Sequence, residues 1–165
     1  MAFWRKASPF SNWYPVHFTC AGITYNCGEQ LMMHRKALAF GDLAIAARIL
    51  QESDPAKLKA LGRQVRGYQD DIWRAIDMPM VFDGLLAKFT QDQTCRLAML
   101  TSGDKLLVEA SPVDRIWGAG IDANDPRLTS PHLWPGQNRL GRVLMQVRQA
   151  MVDILGAVPA QSALF

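Results

Sequence analysis

Three short segments of this chain carry residues that a packed core alone does not require. In EQLMMHRKALAF at 29–40, Glu29 and Lys36 stand seven residues apart. That is two turns of a helix, so they share one face about 10 Å apart along its axis. Met33 falls on the same line between them, and Met32 and Met33 form a soft apolar wall. Such a wall desolvates its neighbours, raising a carboxylate pKa or lowering that of a lysine. The plain alternative is an amphipathic helix with solvated charges at its ends.

The second segment is EASPVDRIWGAG at 109–120, where Asp114, Trp117, Gly118 and Gly120 crowd onto one loop. A carboxylate, an indole plane and glycines that let backbone approach closely can hold a base and its sugar together. A tight turn around a buried tryptophan needs no ligand and explains the same residues. The third is SNWYP at 11–15: Ser11 and Asn12 offer compact hydrogen-bonding groups, and Trp13 and Tyr14 offer flat faces or simply core aromatics. In WPGQNRLGRVLM at 134–145, Asn138 opens the last helix, where a capping role and an anion-attracting helix N-terminus can coexist. Arg63, Arg115 and Arg139 are further phosphate candidates, although arginines are more often merely solvated.

The elements that position these groups follow from punctuation and periodicity. Ala21-Gly22 reads as the turn of a hairpin between Val16–Cys20 and Ile23–Tyr25. A helix starts at Glu29, with Leu31, Met32, Leu38 and Phe40 as its buried side. Asp42 caps a second helix through Leu50, and Asp54-Pro55 starts a third that Gly62 ends. Asp70 or Asp71 opens a longer one towards Phe89, interrupted or kinked at Pro79, and 93–100 forms another. Lys105–Glu109 reads as a strand. From Asn138 to Leu155, Leu140, Val143, Leu144, Val147, Met151, Ile154 and Leu155 make a core-facing stripe. The expected fold is α+β: a compact, mainly helical single domain over 1–165 with a few short strands, and no βαβ series.

Composition narrows the function classes. Of 165 residues, 49% are hydrophobic and 20% charged, which describes a folded globular chain and not a disordered one. Lysines and arginines are dispersed among acids, giving a net charge of only +3, so a nucleic-acid-binding stripe is not expected. Three cysteines without a CxxC pair and three scattered histidines imply neither a disulfide framework nor a metal site. No apolar leader or run of about 18 apolar residues is present, so a cytoplasmic protein with no membrane partner is expected.

Order and combination say more than any one segment. FW (3–4), SNWYP, the Gly22…Tyr25 hairpin, EQLMMHRKALAF, KALGRQV (59–65), Trp73, AKF (87–89), EASPVDRIWGAG and PGQNRLGRVLMQVR (135–148) together resemble the NADAR (YbiA-like) N-glycosidase family. The resemblance implies a YbiA-like fold and hydrolysis of an N-glycosidic bond without metal or organic cofactor. It implies a small nucleotide-derived substrate: a riboflavin-pathway ribosylamino-pyrimidine phosphate, or ADP-ribose on guanine, including a modified nucleic-acid base. By position it makes Glu29 the acidic catalytic residue and Lys36 the helix lysine. Trp73, Asp114 and Trp117 become pocket residues, with Asn12 and Asn138 as lining. Cys27-Gly28 departs from the family pattern just before Glu29, a change expected to affect the helix start more than the chemistry.

Cleaving such a bond leaves positive charge on the anomeric carbon and negative charge on the base, so Glu29 is expected to serve as acid or base. Asp114 is expected to orient a ribose hydroxyl or assist, and Trp117 or Trp73 to stack on the base. Two roles fit Lys36: neutralising phosphate, or, if desolvated, forming a transient Schiff base with an opened sugar. The main alternative is a non-catalytic module that binds ADP-ribose or another nucleotide in the same pocket.

Overall fold

The computed structural model describes residues 1–156; the last nine positions of the expected 1–165 domain lie outside the described residues. The strands are β1 (Ala2–Phe3), β2 (Phe18–Cys20), β3 (Ile23–Tyr25) and β4 (Val108–Glu109). The helices are α1 (Gly28–Ala39), α2 (Leu43–Leu50), α3 (Pro55–Gly62), α4 (Asp70–Gln91), α5 (Gln93–Thr101) and α6 (Arg139–Gly156). This is the mainly helical α+β architecture that the sequence predicts.

Local chemistry accounts for most boundaries. Ala21 and Gly22 both take positive φ, as a two-residue hairpin turn demands, and β2 pairs antiparallel with β3. The Cys27 sulfur accepts from the Gln30 amide, taking the capping role a hydroxyl would otherwise have at the start of α1. Asp42 and Asp54 cap α2 and α3, and Asp92 caps α5. The long α4 runs on through Pro79.

Helix α1 packs against α2, α3 and α4, and α4 in turn carries β2, α5 and α6. From Gly28 to His34 every residue of α1 is buried, because it has neighbours on nearly all sides. Close approach requires small residues: a Cβ on Gly62 would lie 1.9 Å from the Met33 sulfur, and one on Gly84 2.2 Å from Leu31 Cδ1. The α6 stripe packs inward from Leu140 to Met151.

Four expectations are corrected. Leu38 is 43% exposed, since α1 passes the edge of the core there, and Ile154 and Leu155 are about half exposed because α6 outruns the core. The strand expected over 105–109 spans only Val108–Glu109, paired parallel with β1, an element with no signal of its own.

Candidate active site

A cavity of about 380 Å³ opens between α1, α3, α4 and the 109–120 loop. Glu29 sits in its wall at 5% exposure. Its amide donates to the Asn12 carbonyl at 2.9 Å, which pins the SNWYP turn to the start of α1. Gly28 makes that contact possible, since a Cβ there would lie 2.6 Å from Asn12 Oδ1. The turn is held from behind by Lys88, a fully buried lysine whose ammonium donates to the Pro9 and Ser11 carbonyls at 2.7 and 2.8 Å.

The loop that carries Asp114 is folded over its own carboxylate. Asp114 Oδ1 accepts from the Ile116 and Trp117 amides at 3.0 and 2.9 Å, and Oδ2 from Lys59 Nζ at 3.1 Å. Gly118 is squeezed between loop atoms, where a Cβ would meet the Asp114 carbonyl at 2.7 Å. Carbonyls of Ile116, Trp117 and Gly118 accept from the Arg139, Leu140 and Asn138 amides. Of the two roles that the sequence allowed at the start of α6, the structure therefore gives these three amides to the loop and not to an anion.

The cavity brings Glu29, Lys36, Asp114, Asn12, Trp73 and Trp117 together. The other four predicted residues do not line it. Ser11 faces an adjoining cavity. Gly118 and Gly120 shape the loop, Gly120 with a φ of +72°. Asn138 is buried and spends its side chain on backbone, accepting from the Glu109 amide and donating to the Leu107 carbonyl, each at 2.9 Å. It thereby anchors the end of β4. Of the arginines, Arg63 borders the cavity and Arg115 lies exposed outside it. Arg139 is tied to Asp77 in a nearly buried ion pair.

Electrostatics separate the carboxyls. Burial pushes Glu29 up to about 7, reinforced by Asp114 and opposed by Lys59, Trp13 and Arg63. Burial also acts upward on Asp114, but the Lys59 charge and the two loop amides outweigh it and hold the group below the usual range. A third carboxyl, Glu109, is pushed up to about 8 by burial and then by Asp114 and Glu29. Groups driven apart in this way can divide acid and base duties. Burial keeps Lys36 below the ordinary lysine range, against the pull of Asp70, and its ammonium lies 3.8 Å from the centre of the Tyr68 ring. Among the described residues no cluster of histidine, cysteine or carboxylate side chains could hold a metal ion.

Glu109 and Lys59 were not singled out in the sequence. An acidic residue closing a strand beside the Asp114 loop was a usable signal for Glu109. Lys59 had none, since its partner is 55 positions away.

The NADAR domain model matches residues 2–152. The chain belongs to the NADAR family. Among its relatives, an N-glycosidase of Acanthamoeba polyphaga mimivirus is 40% identical over 145 residues, covering 85% of each chain. Protein irg-1 of Caenorhabditis elegans is 36% identical over 165 residues, covering 90% of this chain and 78% of that one. The NMR structure of Escherichia coli YbiA superposes with a TM-score of 0.77 over 95% of this chain and 87% of its own, at 24% identity, so the NADAR fold is shared. No described helix is long and apolar enough to cross a membrane.

Proposed function

We propose that this NADAR chain is an N-glycosidase, a hydrolase that cleaves the bond between a base nitrogen and the anomeric carbon of a ribose in a nucleotide-derived substrate. The observation that carries this reading is the pairing of two unlike carboxyls in one tryptophan-walled cavity: buried Glu29 and lysine-bound Asp114. The name of the mimiviral relative, an N-glycosidase, supports it.

In this reaction water forms a bond to the anomeric carbon as the carbon–nitrogen bond breaks, and the bonding pair leaves with the base. Water gives up a proton and the base nitrogen gains one. Glu29, poised near neutrality, handles that proton as acid or base. Asp114 stays ionised against Lys59, where its charge opposes the developing positive sugar or orients a ribose hydroxyl. Trp73 or Trp117 supplies a face for the base. Lys36, half-buried on Tyr68, serves either as the counter-charge to a phosphate or as a nucleophile towards an opened sugar.

Two substrate classes fit: a ribosylamino-pyrimidine phosphate of the riboflavin pathway, and ADP-ribosylated guanine. The test incubates the protein with one of each and with NAD, and follows released base and sugar by mass spectrometry. Release from at least one, with a borohydride-trapped adduct on Lys36 if the covalent route operates, is the expected result. Thermal stabilisation by a substrate that is never consumed would contradict it and leave a nucleotide-binding module.

A further inference from the structure

Lys36 is half-buried in the cavity wall, yet among the described residues its ammonium forms no salt bridge. The group it does meet is the face of Tyr68, whose ring centre lies 3.8 Å away. Tyr68 belongs to the short connection between α3 and α4 and has no part in the chemistry proposed above.

That connection is built to present the ring. Gly67 turns the chain with a φ of +71°, a conformation that favours glycine. The Phe40 ring, just past the end of α1, packs edge-on against Tyr68 at 5.3 Å and 66°. The Tyr68 hydroxyl donates to Asp70 Oδ1 at 2.9 Å, and Arg74 holds Oδ2 of the same carboxylate at 2.7 Å. Both oxygens of Asp70 are thus engaged by other donors, and the ammonium is left to the ring. The remaining charged groups around it line the same cavity: Glu29 on α1, Lys59 and Arg63 from α3 and its end, and Arg74 and Asp77 on α4. Burial and Arg63 disfavour the charged amine, whereas Asp70 and Glu29 favour it. A ring face attracts the cation and not the neutral amine.

We infer that Tyr68 is a positioning residue that acts through Lys36: its ring fixes the ammonium at one place on the cavity wall and keeps it charged at neutral pH in the substrate-free protein. As counter-charge to a phosphate, Lys36 is then ready without adjustment. As a nucleophile it must first lose a proton, and with it the hold of the ring. The consequence for turnover rests on the N-glycosidase reading; the placement and charge of the ammonium do not.

The test titrates Lys36 by NMR in protein carrying isotope-labelled lysine, its signal assigned by its loss in Lys36→Met. Tyr68→Leu removes the ring but keeps apolar bulk, at a position 39% exposed where the core is spared. Its Lys36 midpoint is expected about one pH unit below that of the wild type, a roughly tenfold weaker hold on the proton. Tyr68→Phe gives up only the hydroxyl and is expected to keep the midpoint within about 0.3 of the wild type. A midpoint that stays or rises in Tyr68→Leu, or falls as far in Tyr68→Phe, overturns the inference. On a glycoside that the wild type consumes, the limb of the kcat/KM–pH profile that follows Lys36 is expected to move down by the same amount in Tyr68→Leu and to stay in place in Tyr68→Phe. A profile unmoved in Tyr68→Leu overturns the claim that the tyrosine acts through the lysine. Failure of the wild type to release a base from any glycoside, with the midpoints as expected, would sink the N-glycosidase reading and leave the hold of Tyr68 on Lys36 standing.

Discussion

Replacing Glu29 by Gln should make the protein more stable at neutral and alkaline pH even as it removes the proposed catalytic group. The carboxyl is 5% exposed, and its burial raises it from 4.5 to about 7. Below pH 4.5 the group is neutral in the folded and unfolded chain alike, so the amide changes little. Between pH 4.5 and 7 the unfolded chain releases its proton while the folded chain keeps it. Wild-type stability therefore falls across this window and is fully reduced above it. A shift of that size corresponds to about 3 kcal/mol. Glu109 adds to the gain, because a neutral neighbour removes one cause of its own upward shift. For a chain of this length the difference amounts to roughly 6–12 °C in Tm. Urea unfolding of both proteins at pH 4, 6 and 8 reads it directly, with the Glu29→Gln advantage growing from near zero to about 3 kcal/mol. A variant no more stable than wild type at pH 8, or an advantage that does not grow with pH, would refute the claim that burial is the main force poising this carboxyl.

Further predictions follow the same packing. Lys88→Met should cost about 2 kcal/mol at pH 7, since the Pro9 and Ser11 carbonyls lose their donor in a buried site. The deficit should widen between pH 8 and 10.5, because burial lowers Lys88 to about 8 and the folded chain sheds its proton first, so wild-type stability climbs there; denaturant titrations across that range decide it. Lys59→Met removes the charge that keeps Asp114 ionised, so the acid limb of the rate–pH profile should move to higher pH, and an unmoved limb would contradict the pairing. Gly118→Ala places a Cβ 2.7 Å from the Asp114 carbonyl and should destabilise the fold by about 2 kcal/mol while lowering kcat, measured by denaturation and turnover on one preparation.

Much of this site was legible because short-range chemistry marks it. Ala21-Gly22, the capping aspartates and Asp54-Pro55 each answer a local backbone demand, and the structure uses all of them. The 29–36 spacing likewise puts Glu29 and Lys36 on one cavity wall. What the sequence hid depends on long-range pairing. Val108 and Glu109 become a strand only because Ala2 and Phe3 lie beside them. Glu109 joins the carboxyl cluster by that route, and Asn138 is drawn away from the cavity to hold the same strand end. Periodicity marks an apolar stripe but not where the core stops, so Leu38, Ile154 and Leu155 continue a stripe and yet lie exposed. Lys88 resembles a surface lysine in sequence, and only the turn it supports explains its burial.

The most direct measurement is the single-turnover rate of Glu29→Gln on whichever glycoside the wild type consumes, with substrate affinity determined on the same samples. The account predicts a rate lower by about 10²-fold or more with Kd within about threefold, since the amide keeps the shape of the side chain but carries no proton. A Glu29→Gln rate within about twofold of wild type, at equal affinity, would contradict the assignment of proton transfer to this carboxyl.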